Sequence, residues 1–452
     1  MEDAHATGTG VPTSRTAPWA GERAQYRMVE LERALPEPSV EQVTDFVSSA
    51  LQAHARQFDD EGVVLYAGTN ALSPRVQQAH AAQLSSRSSM GWPAEKYQMG
   101  LDHLETLEVA APALVSRAVG ARFAEVRSHS ATMANLAAYT AFACPGDTIA
   151  TLPQVAGGHV SHHEIGVPGV RGLHVAELPY DAAGLDVDIE ALPAFLSRER
   201  PRLVVVGASL MLFPHRLRQI ARAVHDAGIV LLYDASHVAG LVAGGRFQQP
   251  LAEGADLLTF STYKSFGGPA GGVIATNDPT LAEKVSDAVY PTLSANYDAA
   301  RLAPLAIAAA ENLEHGGGLA DRYTANAHAL ATALDEAGLC VAGKHRGFTS
   351  SHHVAVDVGD LGDGAAVMRR LSEAGIYLSA IDLPDQQPHE PTRGLRLGTQ
   401  EVTRRGFEPT DMKHLAACMA EVLLHAADPA SVRGKVTDLR RATAARHPSS
   451  SS

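Results

Sequence analysis

The sequence predicts an α/β protein, with a large domain on a mostly parallel sheet and a small carboxyl-terminal α/β domain. From about Leu101 onward, apolar runs of strand length alternate with segments of helical periodicity. Such alternation is typical of parallel strands joined by crossover helices. After a long alanine-rich helical segment, a second and shorter set of strands and helices begins near His353. The second set predicts the smaller domain.

The elements follow in order along the chain. Residues 1–23 are rich in Gly, Thr, Pro and Ala, and we predict that they and the tail 446–452 are disordered. We expect a helical arm at 24–64 that could wrap a partner subunit, then the large domain at 65–315 and the small domain at 316–445. The predicted helices cover residues 40–57, 104–119, 217–227, 302–334 and 365–374. The predicted strands cover residues 148–152, 203–207, 229–233, 257–260, 353–358 and 376–379.

Composition narrows the classes of function. The formal net charge of −13 argues against nucleic acid and anionic membrane as partners, because both require a basic surface. The three cysteines are scattered and odd in number, so they imply no disulfide framework. No apolar run approaches the roughly 18 residues that span a membrane, and the first residues lack a basic region followed by an apolar stretch. We therefore expect a cytoplasmic protein.

Two predicted strands end beside residues with complementary chemistry. The run 229–233 leads into Asp234 and then His237, and the run 257–260 leads to Lys264 and a glycine-rich turn. Residues just past the carboxyl ends of parallel strands line the ligand crevice. A carboxylate, an imidazole and an amine in one crevice suit pyridoxal phosphate, since the amine forms a Schiff base and the carboxylate keeps the pyridine nitrogen protonated. Taken alone, Asp234 is as typical of a turn or cap, and Lys264 of a solvated charge.

A phosphate-binding turn is predicted upstream of these strands. Ser130, Ala131 and Thr132 precede a helix predicted to begin near Met133, and a helix amino end offers free N–H groups to an anion. A simple N-cap remains the alternative for this turn. Hydroxyl groups close to Lys264 could add donors, namely those of Ser261 and Thr262.

A dense polar cluster occurs near the middle of the large domain. It consists of His159, His162, His163 and Glu164, and its spacing also suits a metal site. Short histidine clusters are weak evidence for metal, and a polar loop of hydrogen-bonded histidines is the ordinary alternative. We predict no metal.

Several motifs, in the same order, resemble the serine hydroxymethyltransferase family of fold-type I pyridoxal phosphate enzymes. The resemblance runs from about residue 65 to 422, and its motifs lie at 64–75, 128–135, 156–162, 233–241, 260–272 and 394–399. It implies pyridoxal 5'-phosphate as the cofactor and an active site shared between subunits. A homodimer or a dimer of dimers is therefore expected, with amino acids as substrates and aldehydes as candidate second substrates.

The resemblance also implies roles for individual residues. The expected catalytic residues are Lys264, His159, Asp234 and His237, with His159 stacked on the cofactor ring. The expected cofactor contacts are Ser130, Ala131, Thr132, His159, Ser209, Asp234, His237, Ser261, Lys264, Ala295 and Asn296. Of these, Ala295 and Asn296 belong to the loop that the family donates to the neighbouring subunit. The expected substrate contacts are Arg396, Gln98 and Ser88. Arg396 is the candidate for a bidentate clamp on the α-carboxylate, and the pattern alone leaves Arg393 as an alternative.

The departures from the family decide the predicted reaction. Met90 stands where the family carries a glutamate central to folate-dependent hydroxymethyl transfer, and Gly68 stands where a serine helps to hold the substrate carboxylate. Ala270 replaces an arginine, and Gln98 replaces an active-site tyrosine. A thioether has no titratable proton to relay, although Glu95 lies close in sequence.

We therefore predict folate-independent cleavage or formation of a carbon–carbon bond in a β-hydroxy-α-amino acid, by an aldolase or a transaldolase. The first alternative is folate-dependent serine hydroxymethyl transfer. Transamination, racemisation or decarboxylation of an amino acid are further alternatives within the same cofactor class. A catalytically silent cofactor-binding protein is disfavoured, because Asp234, Lys264 and Arg396 are all present.

Overall fold

The computed structural model describes residues 13–384, 386 and 390–446. The chain divides into two compact units, residues 1–61 and 62–452. The first unit contains the helices Glu22–Arg33 and Val40–Ala55, followed by a π-helical turn at Arg56–Glu61. The parts of the predicted disordered segments at 1–12 and 447–452 lie outside the described residues.

The amino-terminal unit begins with a polar network. Ser14 is buried, its N–H donates to Gln25 at 2.6 Å, and its hydroxyl donates to Glu32 at 2.6 Å. Ser14 belongs to the segment that was predicted to be disordered. It is nevertheless hydrogen-bonded to the helix Glu22–Arg33.

A seven-stranded sheet forms the centre of the second unit. We number its strands along the chain as β1 (Phe123–Glu125), β2 (Thr148–Thr151), β3 (His174–Glu177), β4 (Leu203–Val206), β5 (Val230–Asp234), β6 (Leu257–Ser261) and β7 (Gly272–Thr276). Their order in the sheet is β1-β7-β6-β5-β4-β2-β3. Strand β7 is antiparallel to both of its neighbours, and the other pairs are parallel.

The central strands are buried along nearly their whole length. All residues of β4 and β6 are buried, and so are the last four of β5. Parallel strands covered by helices on both faces have continuous apolar runs of this kind. The carboxyl ends of β4, β5 and β6 consequently open at one edge of the sheet, where the residues after each strand can meet.

A four-stranded antiparallel sheet lies in the carboxyl-terminal part. Its strands are β8 (Cys340–Val341), β9 (His353–Asp357), β10 (Ser379–Ile381) and β11 (Gly394–Gly398), in the order β8-β9-β11-β10. The pair Val63–Val64 adds a short parallel ladder with Ile376–Tyr377. The predicted fold class is therefore confirmed, with a mostly parallel large sheet and a smaller carboxyl-terminal α/β part.

Helices cover both sheets. In the second unit they are Pro74–Gln78, Asp102–Ala118, Ala131–Phe142, Val167–Arg171, Leu192–Glu199, Leu217–Asp226, Ala239–Ala243, Pro279–Asp287, Leu302–Glu336, Gly364–Glu373, Gln400–Arg404, Pro409–Leu423 and Pro429–Arg446. The helix Leu302–Glu336 has 35 residues and continues through the predicted boundary at 315, so the division into large and small domains stays a prediction. Across the described residues, every helix is too short or too polar to cross a membrane.

Candidate active site

Asp234 is the last residue of β5, and its carboxylate is held from three sides. Its Oδ2 accepts hydrogen bonds from Asn135 Nδ2 at 3.0 Å and His162 Nε2 at 2.9 Å, and its Oδ1 accepts from the Ser236 N–H at 2.8 Å. Burial alone would raise the pKa of Asp234, but the hydrogen bonds from His162, Ser236 and Asn135 lower it well below its ordinary value. Asp234 is therefore a permanently ionised carboxylate in a buried position.

His162 links the Asp234 carboxylate to the Tyr139 hydroxyl. Its Nε2 faces the carboxylate, so in the neutral ring Nε2 carries the proton and Nδ1 accepts from the Tyr139 hydroxyl, at 2.5 Å. His163 instead lies 4.0 Å from Glu177. The neighbouring histidines of the cluster thus point to different carboxylates.

Lys264 follows β6, and it lines the same cavity as Asp234. Its carbonyl accepts from Asn70 Nδ2 at 2.9 Å, and its Nζ lies 3.1 Å from His237 Nε2. Burial lowers the pKa of Lys264 from 10.5 to about 8, while Asp234 opposes the shift and Arg396 adds to it. The amine is therefore easier to deprotonate than an exposed lysine, which is the property required of a nucleophilic amine.

Three buried histidines stand in a row beside Lys264. The rings of His237 and His353 are 5.1 Å apart, and those of His353 and His352 are 4.1 Å apart. Burial holds the pKa of each below its ordinary value, with that of His352 at about 3, and the charges of Lys264 and Arg396 contribute in each case. All three rings are therefore neutral at physiological pH.

The predicted phosphate-binding turn lies at the amino end of the helix Ala131–Phe142. Ser130 caps the helix, since its Oγ accepts from the Met133 N–H at 3.2 Å. The N–H groups of Ala131 and Thr132 have no partner within the helix, as in every first helical turn. Gly272 permits close approach of β7, because a Cβ there would lie 2.1 Å from the Ser130 carbonyl oxygen.

Arg396 lies on β11 in the smaller sheet and contacts Ser209, which lines the same cavity as Lys264. Its Nη1 donates to the Ser209 carbonyl at 2.6 Å, and its Nε donates to Ser379 Oγ at 3.3 Å. Gly207 makes the turn that brings Ser209 there, with φ of +107° and no room for a Cβ beside the Asp234 carbonyl. Arg393 is 3.3 Å from Asp357. The geometry thus favours Arg396 over Arg393 as the carboxylate clamp.

One cavity collects most of the predicted site residues. Its lining includes Ser130, Ala131, Thr132, His159, Ser209, Asp234, His237, Ser261 and Lys264. His159 is held at Nδ1 by Ser161, whose Oγ is 2.7 Å away, and burial lowers the pKa of His159 to about 4. Thr262 instead turns its hydroxyl to the Gly271 carbonyl at 3.1 Å.

Five predicted contacts are absent from the lining of this cavity. They are Ser88, Gln98, Ala295, Asn296 and Arg396, of which Arg396 donates to the lining residue Ser209. Gln98 Oε1 accepts from the Met90 N–H at 3.1 Å, and Asn296 Oδ1 accepts from the Ser89 N–H at 3.2 Å. The two loops therefore contact each other, and their predicted contact with a neighbouring subunit's site stays a prediction.

Several site residues had no assigned role in the sequence analysis. Asn135, Ser161, His162 and Ser236 also line the cavity. A signal existed for Asn135, which lies one helical turn after the phosphate-binding residues. For His162, the histidine cluster in the sequence suggested a metal site and gave no indication of the hydrogen bond to Asp234.

Arg301 is a further buried cation, and the sequence analysis did not identify it. Its Nη1 donates to the Ser128 carbonyl at 2.9 Å, whereas Nε and Nη2 have no hydrogen-bond partner in the described part of the chain. Burial lowers its pKa, and Asp298 opposes that shift. A buried cation with unpaired N–H groups is costly, and this one lies directly beside the turn that ends at Ser130.

These features fit a phosphorylated pyridine aldehyde. The first turn of a helix can hold its phosphate, an ionised carboxylate can face its ring nitrogen, and a depressed-pKa amine can bond its aldehyde. His237 Nδ1 and Ser236 Oγ are buried without a hydrogen-bond partner among the residues described. These two groups are therefore available to form hydrogen bonds with such a ligand. Fold and site together define a fold-type I pyridoxal phosphate enzyme.

Comparisons with known proteins narrow this class to one family. The family model for serine hydroxymethyltransferase matches residues 40–419. An alpha-methylserine aldolase of Variovorax paradoxus is 42% identical over 368 residues, covering 81% of this chain and 84% of that protein. A serine hydroxymethyltransferase of Methanopyrus kandleri is 41% identical over 380 residues, covering 83% and 88%. The chain belongs to the serine hydroxymethyltransferase family, and its cofactor is pyridoxal phosphate.

A solved structure supports the same conclusion about the fold. L-threonine transaldolase from Pseudomonas fluorescens, in its internal aldimine state, matches with a TM-score of 0.83 at 27% identity. The match covers 92% of this chain and 94% of that one. The predictions of family, fold and cofactor are confirmed.

Proposed function

We propose that this enzyme cleaves and forms the bond between the α- and β-carbons of a β-hydroxy-α-amino acid without folate. The observation that carries the proposal is that Lys264 and Asp234 line one cavity and that Arg396 donates to the carbonyl of Ser209, which lines the same cavity. An amine and a buried carboxylate therefore lie beside a residue that contacts a guanidinium. The relatives named as an alpha-methylserine aldolase and an L-threonine transaldolase support this choice of reaction. The substrates are an amino acid and an aldehyde, and the working assembly is a cytoplasmic homodimer or dimer of dimers.

Binding and orientation are assigned to three groups. Arg396 binds the α-carboxylate through the guanidinium N–H groups that Ser209 and Ser379 do not use. Asp234 holds a proton on the pyridine nitrogen, and the amino end of the helix Ala131–Phe142 holds the phosphate. When bound, pyridoxal phosphate withdraws the electron pair that the broken carbon–carbon bond leaves on the α-carbon.

Proton transfer is assigned to Lys264 and the neutral imidazoles. As the bond between the α- and β-carbons breaks, the β-hydroxyl loses its proton and its oxygen forms a double bond to the β-carbon. The fragment that contains the β-carbon leaves as an aldehyde, and the electron pair of the broken bond stays on the α-carbon. His159 can accept that proton, since its pKa of about 4 keeps the ring neutral. Lys264, with a pKa of about 8, can hold a proton and return it to the α-carbon. His237 lies 3.1 Å from Lys264 Nζ and orients the amine.

Folate-dependent hydroxymethyl transfer is the competing function, and the similarity to a serine hydroxymethyltransferase is nearly as high as that to the aldolase. Met90 disfavours it, because a thioether cannot relay a proton. Glu95 is the nearest acidic residue in sequence to Met90; it is exposed and pairs with Trp92 in a two-residue hairpin ladder. Glu95 is therefore accessible to solvent, and it is not buried beside the cofactor site.

The test follows aldehyde release from serine, threonine and α-methylserine, each with and without tetrahydrofolate. Cleavage of at least one of them in the absence of folate supports the proposal. Strong stimulation of serine cleavage by tetrahydrofolate, lost in Glu95→Gln, would establish hydroxymethyl transfer instead. α-Methylserine distinguishes carbon–carbon cleavage from racemisation and transamination, because it has no α-hydrogen and can undergo neither of those two reactions. Release of carbon dioxide would indicate decarboxylation.

A further inference from the structure

The segment before the helix Pro74–Gln78 is fixed against the strand that carries the carboxylate clamp. The Gly398 N–H donates to the Leu65 carbonyl at 2.7 Å, which ties the segment to the end of β11. The Gln400 side-chain amide donates to the carbonyls of Tyr66, at 3.0 Å, and Thr69, at 2.6 Å. The backbone on both sides of residue 68 is therefore held in one position beside β11.

Gly68 leaves a space that the Tyr66 side chain fills. A Cβ built on Gly68 would lie 2.8 Å from Cε1, 3.0 Å from Cζ and 3.2 Å from the hydroxyl oxygen of Tyr66. Carbon atoms that are not bonded normally stay about 3.5–4.0 Å apart, so any larger residue at 68 would push the ring away. The hydroxyl end of Tyr66 thus occupies the position from which a side chain at residue 68 would project.

Arg396 has donors available beyond those that the protein itself uses. Its Nη1 and Nε are bonded to Ser209 and Ser379, and the guanidinium carries five N–H groups in all. Burial lowers the pKa of Arg396, and the proximity of Tyr66 opposes that shift. Tyr66 is 39% exposed, so the residue is open to solvent and not enclosed in the core.

We propose that Tyr66 is a specificity-determining residue whose hydroxyl donates a hydrogen bond to the substrate α-carboxylate held by Arg396, in the space that Gly68 leaves open. A carboxylate offers about four lone-pair sites, and a guanidinium fork uses two of them. A phenol beside the fork supplies a further donor. The inference rests on the proposed function in one respect, namely that the ligand is an α-amino acid.

Tyr66→Phe tests the hydroxyl while it keeps the ring. The dissociation constant of glycine is measured by calorimetry on the cofactor-loaded enzyme, and we expect it to rise roughly tenfold to a hundredfold, as for a hydrogen bond to a charged group. The dissociation constant of methylamine, the same amine without a carboxylate, should not change. Tyr26→Phe, which removes a tyrosine hydroxyl from the amino-terminal unit, should leave both values unchanged.

Gly68→Ser is the second variant. Its added Cβ would displace the phenol, so affinity for glycine should fall in the same selective way. In the double variant Tyr66→Ala with Gly68→Ser, the obstruction is removed and a hydroxyl returns, and part of the affinity should be restored. Unchanged glycine binding in Tyr66→Phe, or an equal loss for methylamine, would overturn the proposal. Neither measurement involves carbon–carbon cleavage, so failure of the proposed function would be seen separately, as an absence of aldehyde release.

Discussion

Lys264 should attach the cofactor near neutral pH far faster than an ordinary lysine would. Burial lowers its pKa from 10.5 to about 8, and the reactive form is the neutral amine. One pKa unit corresponds to about 1.4 kcal/mol, so the neutral form is favoured by about 3 kcal/mol. At about pH 8 roughly half of the molecules would carry a neutral amine, against about 0.3% for a lysine of ordinary pKa. The gain in reactive amine is on the order of a hundredfold.

The assay mixes cofactor-free protein with pyridoxal phosphate and follows the visible band. Because deprotonation creates the nucleophile, the rate should rise as pH increases through about 8 and then level off. Lys264→Ala should give no band, whereas Lys413→Ala, an exposed lysine on the helix Pro409–Leu423, should behave like the parent protein. Borohydride reduction and peptide mapping identify the attached residue. A rate that climbs without levelling towards pH 10 would refute the effect of burial, and a label on another lysine would refute the assignment.

Three further substitutions follow from the contacts around the cavity. Asp234→Asn should keep cofactor binding, measured by the visible band, but abolish most aldehyde release, because the charge facing the ring nitrogen is lost; full activity would contradict this role. Arg396→Ala should weaken amino-acid binding by roughly 2–5 kcal/mol in a spectral titration, and an unchanged titration would contradict the clamp. Arg301→Met should raise the melting temperature of the cofactor-free protein, since it removes a buried charge with unpaired N–H groups. Arg301→Met should also raise the dissociation constant of the cofactor, because the guanidinium lies beside the turn that is predicted to bind the phosphate. If the melting temperature and the dissociation constant were both unchanged, this role of Arg301 would be contradicted.

The parts of the site that follow strands could be predicted from sequence. Asp234 and Lys264 each come shortly after an apolar run, and parallel strands bring such positions to one edge of the sheet. The groups that determine their protonation could not be predicted in the same way. His162 and Asn135 approach Asp234 from 72 and 99 residues away, and no local periodicity encodes a contact over that distance. His352 and His353 come from the second sheet, whose packing against the first depends on tertiary structure.

Element boundaries were predicted closely where a strong apolar pattern existed. The helix predicted at 40–57 covers Val40–Ala55, and that predicted at 302–334 covers Leu302–Glu336. The helix expected from Met133 begins at Ala131, because the Ser130 side chain caps it two residues earlier. In contrast, the loops with Ser88, Gln98 and Asn296 carry no periodic pattern, and resemblance alone suggested their role. One chain leaves their predicted contact with a neighbouring subunit untested.

The distribution of charge suits the binding of an amino acid's α-carboxylate. Lys264 and Arg396 contribute two positive charges and Asp234 one negative charge, while the buried histidines are held neutral by desolvation and by those same two cations. An incoming carboxylate is therefore drawn to the guanidinium of Arg396. Once a carboxylate neutralises Arg396, Asp234 remains as the buried anion. Its charge would hold a proton on the ring nitrogen of the bound cofactor, while Lys264 would supply the proton for the α-carbon.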